Sequence, residues 1–230
     1  MKEINKRIDN KSAIEIIAVV IFSCVLMALF ELLTNTGYHI KTMVRLCLFV
    51  LLPLIHFKIN KKITIKSLFR GDKKSLLHAV VLGGIVFGVI LVSYYTIGQL
   101  FDFSGVAEQI AKSSKSTVEH YLLVASYVAL VNSFVEEFFF RGFSFIALKQ
   151  VSSSSFAYIF SALAFSIYHI TIFMSWFSPL LTVLILVVLF LSGLIFDYLN
   201  SRYDNIYTSW LVHMCANFAI NIIGYTLICM

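Results

Sequence analysis

The sequence predicts an all-α polytopic integral membrane bundle of about seven transmembrane helices, and three observations carry that prediction. Apolar residues make up 60% of the 230 residues and charged residues only 13%, about half the charged share of an ordinary soluble domain. Such a chain cannot cover its own surface with polar groups, so lipid must be the outer solvent. The apolar residues fall in runs, each long enough to supply the roughly 20 helical residues that cross a hydrocarbon core. The runs are apolar all round rather than alternating, which fits helices and excludes barrel strands.

The first span runs from about Ala13 to Leu33. It lacks a small-residue cleavage site and is expected to be retained rather than removed as a signal peptide. The second covers Ile40 to Phe57 and holds Pro53, and the third covers Ser75 to Leu100. The fourth is unusually long, from about His120 to Gln150. The fifth is Ser155 to Phe173, the sixth Pro179 to Tyr198 and the seventh Asn205 to Ile228. No Asp, Glu, Lys or Arg occurs from Ser75 to Phe101 or from Ile170 to Phe196, so the third and sixth are the clearest. Pro179 suits the first turn of a helix, where its missing N–H costs nothing. Gly84 and Gly88 form a GxxxG step that favours close helix packing. The organisation expected is one membrane domain, with N-terminal helices over residues 1–118 and a bundle carrying the polar motifs over 119–230.

Lys and Arg placement sets the orientation. Lys2, Lys6, Arg7 and Lys11 precede the first span, and Lys58, Lys61, Lys62, Lys66, Arg70, Lys73 and Lys74 fill the loop 58–74. Lys149 and Arg202 fall on the same side, against Lys41, Lys112, Lys115 and Arg45 on the other. The basic side is cytoplasmic, so the N-terminus is expected inside and the loop from Asp102 to Glu119 outside, with room for a short surface helix. The net charge of +6 is thereby a topology signal and implies no nucleic-acid partner. Cys24, Cys47, Cys215 and Cys229 lie in apolar stretches at no metal-ligand spacing and read as buried thiols.

Ionised groups inside a bilayer cost several kcal/mol unless paired or hydrated, so the polar residues within spans carry the functional signal. The fourth span contains Glu136-Glu137-Phe138-Phe139-Phe140-Arg141-Gly142. In an α-helix the two glutamates point about 100° apart and cannot share a face. Glu137 precedes Arg141 by four, the favourable order for an intrahelical ion pair. That pair is assigned to bracing the helix and Glu136 to chemistry. His169 lies near the end of the fifth span, and His213 and Asn217 lie in the seventh, where their spacing puts them on one face about 6 Å apart along the axis. A carboxylate with an imidazole can hold and deprotonate water. An imidazole with a carboxamide can donate to an oxyanion. A lone intramembrane His or Asn reads equally well as a hydrogen bond between helices, so the combination on three helices is what points to amide hydrolysis. His39, His56, His78 and His120 read as interfacial, Asp197 and Asp204 as solvated beside a turn, and Glu15 and Glu31 as reaching headgroups.

Glu136-Glu137-x-x-x-Arg141-Gly142, Phe165-x-x-x-His169 and His213-x-x-x-Asn217, in that order, resemble the CPBP intramembrane protease family. That family includes type II CAAX prenyl endopeptidases and bacterial bacteriocin-processing or self-immunity (Abi) proteins. Phe190-Leu191-Ser192-Gly193-Leu194 is similar to the family's motif between the two histidine helices, and the resemblance spans about Glu119 to Ile223. It implies that Glu136 and His169 activate water, His213 and Asn217 form the oxyanion hole, and Glu137 and Arg141 orient the site. It also implies a peptide or lipid-modified protein as substrate, in the lipid bilayer of a bacterial cell membrane. No cofactor is required. A divalent metal such as zinc remains chemically conceivable, with Glu136, His169 and His213 (and less readily Glu137) as its ligands, although no HExxH motif occurs. Two alternatives stand beside the endopeptidase: a non-catalytic bacteriocin immunity protein on the same fold, and a transporter or proton relay.

Overall fold

The computed structural model describes residues 8–34, 36–65, 68–113 and 118–229. Of the basic residues that set the expected orientation, Lys2, Lys6, Arg7, Lys66 and Lys115 lie outside the described residues, as does the side chain of Lys112.

Seven helices are long and apolar enough to cross a membrane: Asn10–Leu33, His39–Ile59, Lys73–Thr96, Glu119–Val151, Ser154–Phe173, Pro179–Tyr203 and Tyr207–Leu227. No strand occurs among the described residues. The chain is a multi-pass integral membrane protein of the predicted all-α class. The third span stops at Thr96 in favour of a tighter turn at Gly98–Leu100, and the sixth continues past Tyr198 to Tyr203. A helix, Ser104–Ser113, occupies the connection after the third span.

Polar caps define the spans where they leave the apolar layer. Asp9 accepts from the Ser12 N–H, and Asp72 and Ser75 make a reciprocal capping box at the start of the third span. Ser153 accepts from the Phe156 N–H. Each satisfies backbone donors that a helix start would otherwise leave without partners. Within the second span, Pro53 supplies no N–H, and the run just before it, Cys47–Leu51, is wound as a π-helix. A wide turn there accommodates a ring that an α-helical ladder would clash with.

The chain forms two compact units, each assembled from separate stretches. The first comprises Met1–Arg70, Val135–Thr171 and Leu186–Ile206, and the second Gly71–Phe134, Ile172–Ile185 and Tyr207–Met230. Aromatic packing fills the first. Phe49 stacks on Phe139 at 4.1 Å, Phe57 meets Phe143 edge-on at 5.3 Å, and Phe140 meets Phe165 at 5.4 Å. His56, read from sequence as interfacial, is largely buried here, 5.2 Å from Phe143 and 3.5 Å from a Glu15 oxygen. A Cβ placed on Gly193 would lie 2.9 Å from the Ala162 Cα, so glycine lets the fifth and sixth spans touch backbone to backbone.

In the second unit the third and seventh spans pack through Gly83, where an added Cβ would meet the Cys215 sulfur at 2.8 Å. The GxxxG reading is corrected here: Gly84 and Gly88 have nothing within 4 Å of that position. Gly84 is one residue, about 100°, round the helix from the contact. The seventh span also grips the fourth with neutral donors. Trp210 Nε1 donates to the Leu130 carbonyl at 3.1 Å, Asn217 Nδ2 to that of Val128 at 3.4 Å, and Asn221 Nδ2 to that of Ala125 at 2.9 Å. Two of those acceptors lie in a second π-helical run, Val128–Asn132.

Candidate active site

Glu136 closes a short α-helical turn, Ser133–Glu136, after which the fourth span winds as a π-helix from Glu137 to Ala147. The regular α-helical spacing assumed from sequence therefore ends at Glu136, and all side chains of Glu137–Ala147 are buried. Wide-turn segments of this kind are uncommon and concentrate at functional sites. Glu136 is 4% exposed, and Glu137 and Arg141 are fully buried. Despite the winding, Arg141 Nε lies 3.5 Å from Glu137 Oε2.

His169 caps the helix Ser154–Tyr168 of the fifth span. Its Nδ1 lies 2.8 Å from the Phe165 carbonyl. A carbonyl oxygen only accepts, so Nδ1 carries the proton and a neutral ring presents a lone pair at Nε2. That Nε2 is 3.8 Å from Glu136 Oε2. Phe165 and Tyr168 meet the imidazole edge-on at 4.8 and 5.0 Å and limit its rotation. The first unit thus brings Glu136, Glu137, Arg141 and His169 together. His213 and Asn217 belong to the second unit. His213 is buried there at 6% exposure, and one amide N–H of Asn217 is committed to Val128.

Asp197 corrects the sequence reading, which puts it at a solvated turn. The sixth span runs on to Tyr203, and the carboxylate is fully buried. Its Oδ1 is 3.7 Å from Arg141 Nε and accepts from Ser161 Oγ at 3.1 Å. The Arg141 guanidinium lies over the rings of Phe165 at 4.1 Å and Phe196 at 5.0 Å. Among the described residues none of its nitrogens makes a hydrogen bond, so charge and ring faces hold it. The polar string after Phe196 masks Asp197 in the sequence. The signal that finds it is its spacing of four from Gly193, which puts it on the helix face that meets the fifth span.

A catalytic zinc takes three protein ligands. Among the described residues no three His, Cys, Asp or Glu side chains are grouped as metal ligands, and the chemistry below is derived from the chain's own residues.

Fold and site together define a polytopic helical membrane protein that holds a carboxylate–imidazole pair and a buried Glu–Arg–Asp cluster inside its spans. Residues 118–219 match the family described as type II CAAX prenyl endopeptidase Rce1-like. No curated protein and no solved structure is matched by the chain.

Proposed function

We propose that the protein is an intramembrane endopeptidase that hydrolyses a peptide bond of a membrane-associated or hydrophobic peptide, using water activated by Glu136 and His169. The observation that carries this reading is the 3.8 Å approach of Glu136 Oε2 to His169 Nε2, with Nδ1 already committed to a carbonyl. Two facing acceptors at that separation do not hydrogen-bond directly. One water donating to each bridges them. Glu136 takes a proton from that water, and the hydroxide attacks the scissile carbonyl. His213 and Asn217 donate to the oxyanion, a contribution of about 3–4 kcal/mol for one well-placed donor. Glu136 then returns the proton to the leaving amine. Glu137 and Arg141 keep the helix in register around Glu136. In this reading the loop 58–74 faces the cytoplasm, and the substrate is a peptide or a lipid-modified protein.

The test is cleavage of hydrophobic reporter peptides, farnesylated and unmodified, by the detergent-solubilised full chain. Glu136→Gln is expected to lower kcat by roughly 10²–10⁴-fold with unchanged folded yield. Wild-type cleavage by that variant overturns the assignment.

A further inference from the structure

We propose that Asp197 is a positioning residue for this hydrolysis: from the sixth span it anchors Arg141 a second time and so sets the fourth-span helix on which Glu136 is mounted. The inference rests on the hydrolase reading above.

Arg141 is fully buried and needs compensating charge to stay there. Glu137 lies 3.5 Å away on the same helix, so that pair cannot fix the helix against its neighbours. Asp197, at 3.7 Å, belongs to a different span. It ties Arg141 across to the sixth span, while Ser161 of the fifth lies 3.1 Å from its carboxylate and 2.9 Å from the Phe140 carbonyl. Phe140 immediately precedes Arg141, so the π-helical run that begins just after Glu136 is held near its start from two neighbouring helices. A wide-turn segment has poorer internal bonding than an α-helix and needs such outside contacts to keep one winding. Glu137 and Asp197 both face Arg141. Gly193, one turn before Asp197, permits the close backbone contact that brings the sixth span to the fifth.

The experiment measures kcat and KM separately, together with thermal midpoint, for the purified full chain on the same reporter peptide. Asp197→Asn keeps the size and the acceptor for Ser161 but removes the charge. It is expected to lower kcat per folded molecule by roughly 10- to 100-fold, the scale of a 1 Å misplacement, with KM within about twofold. Wild-type kcat per folded molecule in Asp197→Asn, even with a lowered midpoint, overturns the inference. Should that variant fail to fold, Glu137→Gln decides. Because Asp197 still holds Arg141, Glu137→Gln is expected to retain measurable cleavage. Loss as complete as in Glu136→Gln overturns the second anchor. Glu136→Gln run alongside separates the two levels. Absence of cleavage by the wild type sinks the hydrolase reading, wild-type cleavage by Glu136→Gln sinks the role of Glu136, and a strongly impaired Glu136→Gln beside a fully active Asp197→Asn sinks only the role of Asp197.

Discussion

The two units solve the problem of polar groups in a bilayer differently. The first pairs whole charges: Glu137 and Asp197 around Arg141 and Glu136 beside His169 where they are buried, and Glu31 with Lys41 and Arg45 and Glu15 beside His56 where they are partly exposed. The second, within its seventh span, carries no Asp, Glu, Lys or Arg from Tyr207 to Cys229. It uses Trp and Asn donors on carbonyls of the fourth span. Paired charge is rigid and directional but disastrous to break, because the survivor is left ionised in a medium of low dielectric. Neutral amide bonds between helices are weak, about 0.6 kcal/mol on average, because an unfolded chain in the membrane finds other partners. The contrast teaches that the units should fail differently under substitution.

The largest effect is expected from breaking the charged cluster. Glu137→Ala leaves Arg141 with Asp197 as its remaining counter-ion and should lower stability by up to about 3 kcal/mol, short of the full cost of an uncompensated buried charge, measured as loss of monodisperse protein on heating in detergent. A small loss there would mean that the first unit does not depend on its ion pairs. Next, Asn217 and Asn221 make the same kind of bond and separate packing from chemistry. Asn217→Ala should lower kcat by about 10²–10³-fold, while Asn221→Ala should leave cleavage intact and lower stability by only about 0.6 kcal/mol. Equal behaviour of the two would reduce Asn217 to a packing residue. Gly193→Ala forces a methyl group against the Ala162 backbone and should lower the thermal midpoint, corresponding to about 1–3 kcal/mol of overpacking.

The smallest effect concerns the exposed cap before the first span. Lys62 beside Asp9, helped by the Ser12 N–H, holds the Asp9 carboxyl down at about 2. The folded value lies below the unfolded one, near 3.9. The cap therefore stabilises above about pH 4 and is lost as pH falls toward 2. Amide exchange at Ser12 and Ala13 should speed up over that window in the wild type relative to Asp9→Asn, in which the window is absent. Identical pH profiles would show that the cap contributes nothing.

The seven spans were legible because insertion into lipid is decided by local composition, a property of each stretch alone. The carboxylate, imidazole and amide types that the site uses were legible because such residues stand out against an apolar background. The winding of Glu137–Ala147 was not, since a wide turn depends on which neighbouring donors and rings take up the strain, and Ser161, Asp197 and Phe49 come from distant parts of the chain. Asp197 was misread for a related reason. Its neighbours Tyr198, Asn200, Ser201 and Arg202 make a polar string that resembles a headgroup-facing turn, yet helix periodicity turns Asp197 inward with Gly193. Gly84 and Gly88 failed in the opposite sense, as a pattern without a partner, because the approach of the seventh span is made by Gly83.

The chain has 2 tryptophans, Trp176 and Trp210, and both lie in the second unit. Trp210 packs edge-on against Phe134 at 5.3 Å. Selective excitation of indole therefore lights one half of the molecule and leaves the other dark. The indole of Trp210, on the helix that carries His213 and Asn217, thereby becomes an intrinsic optical probe of the second unit.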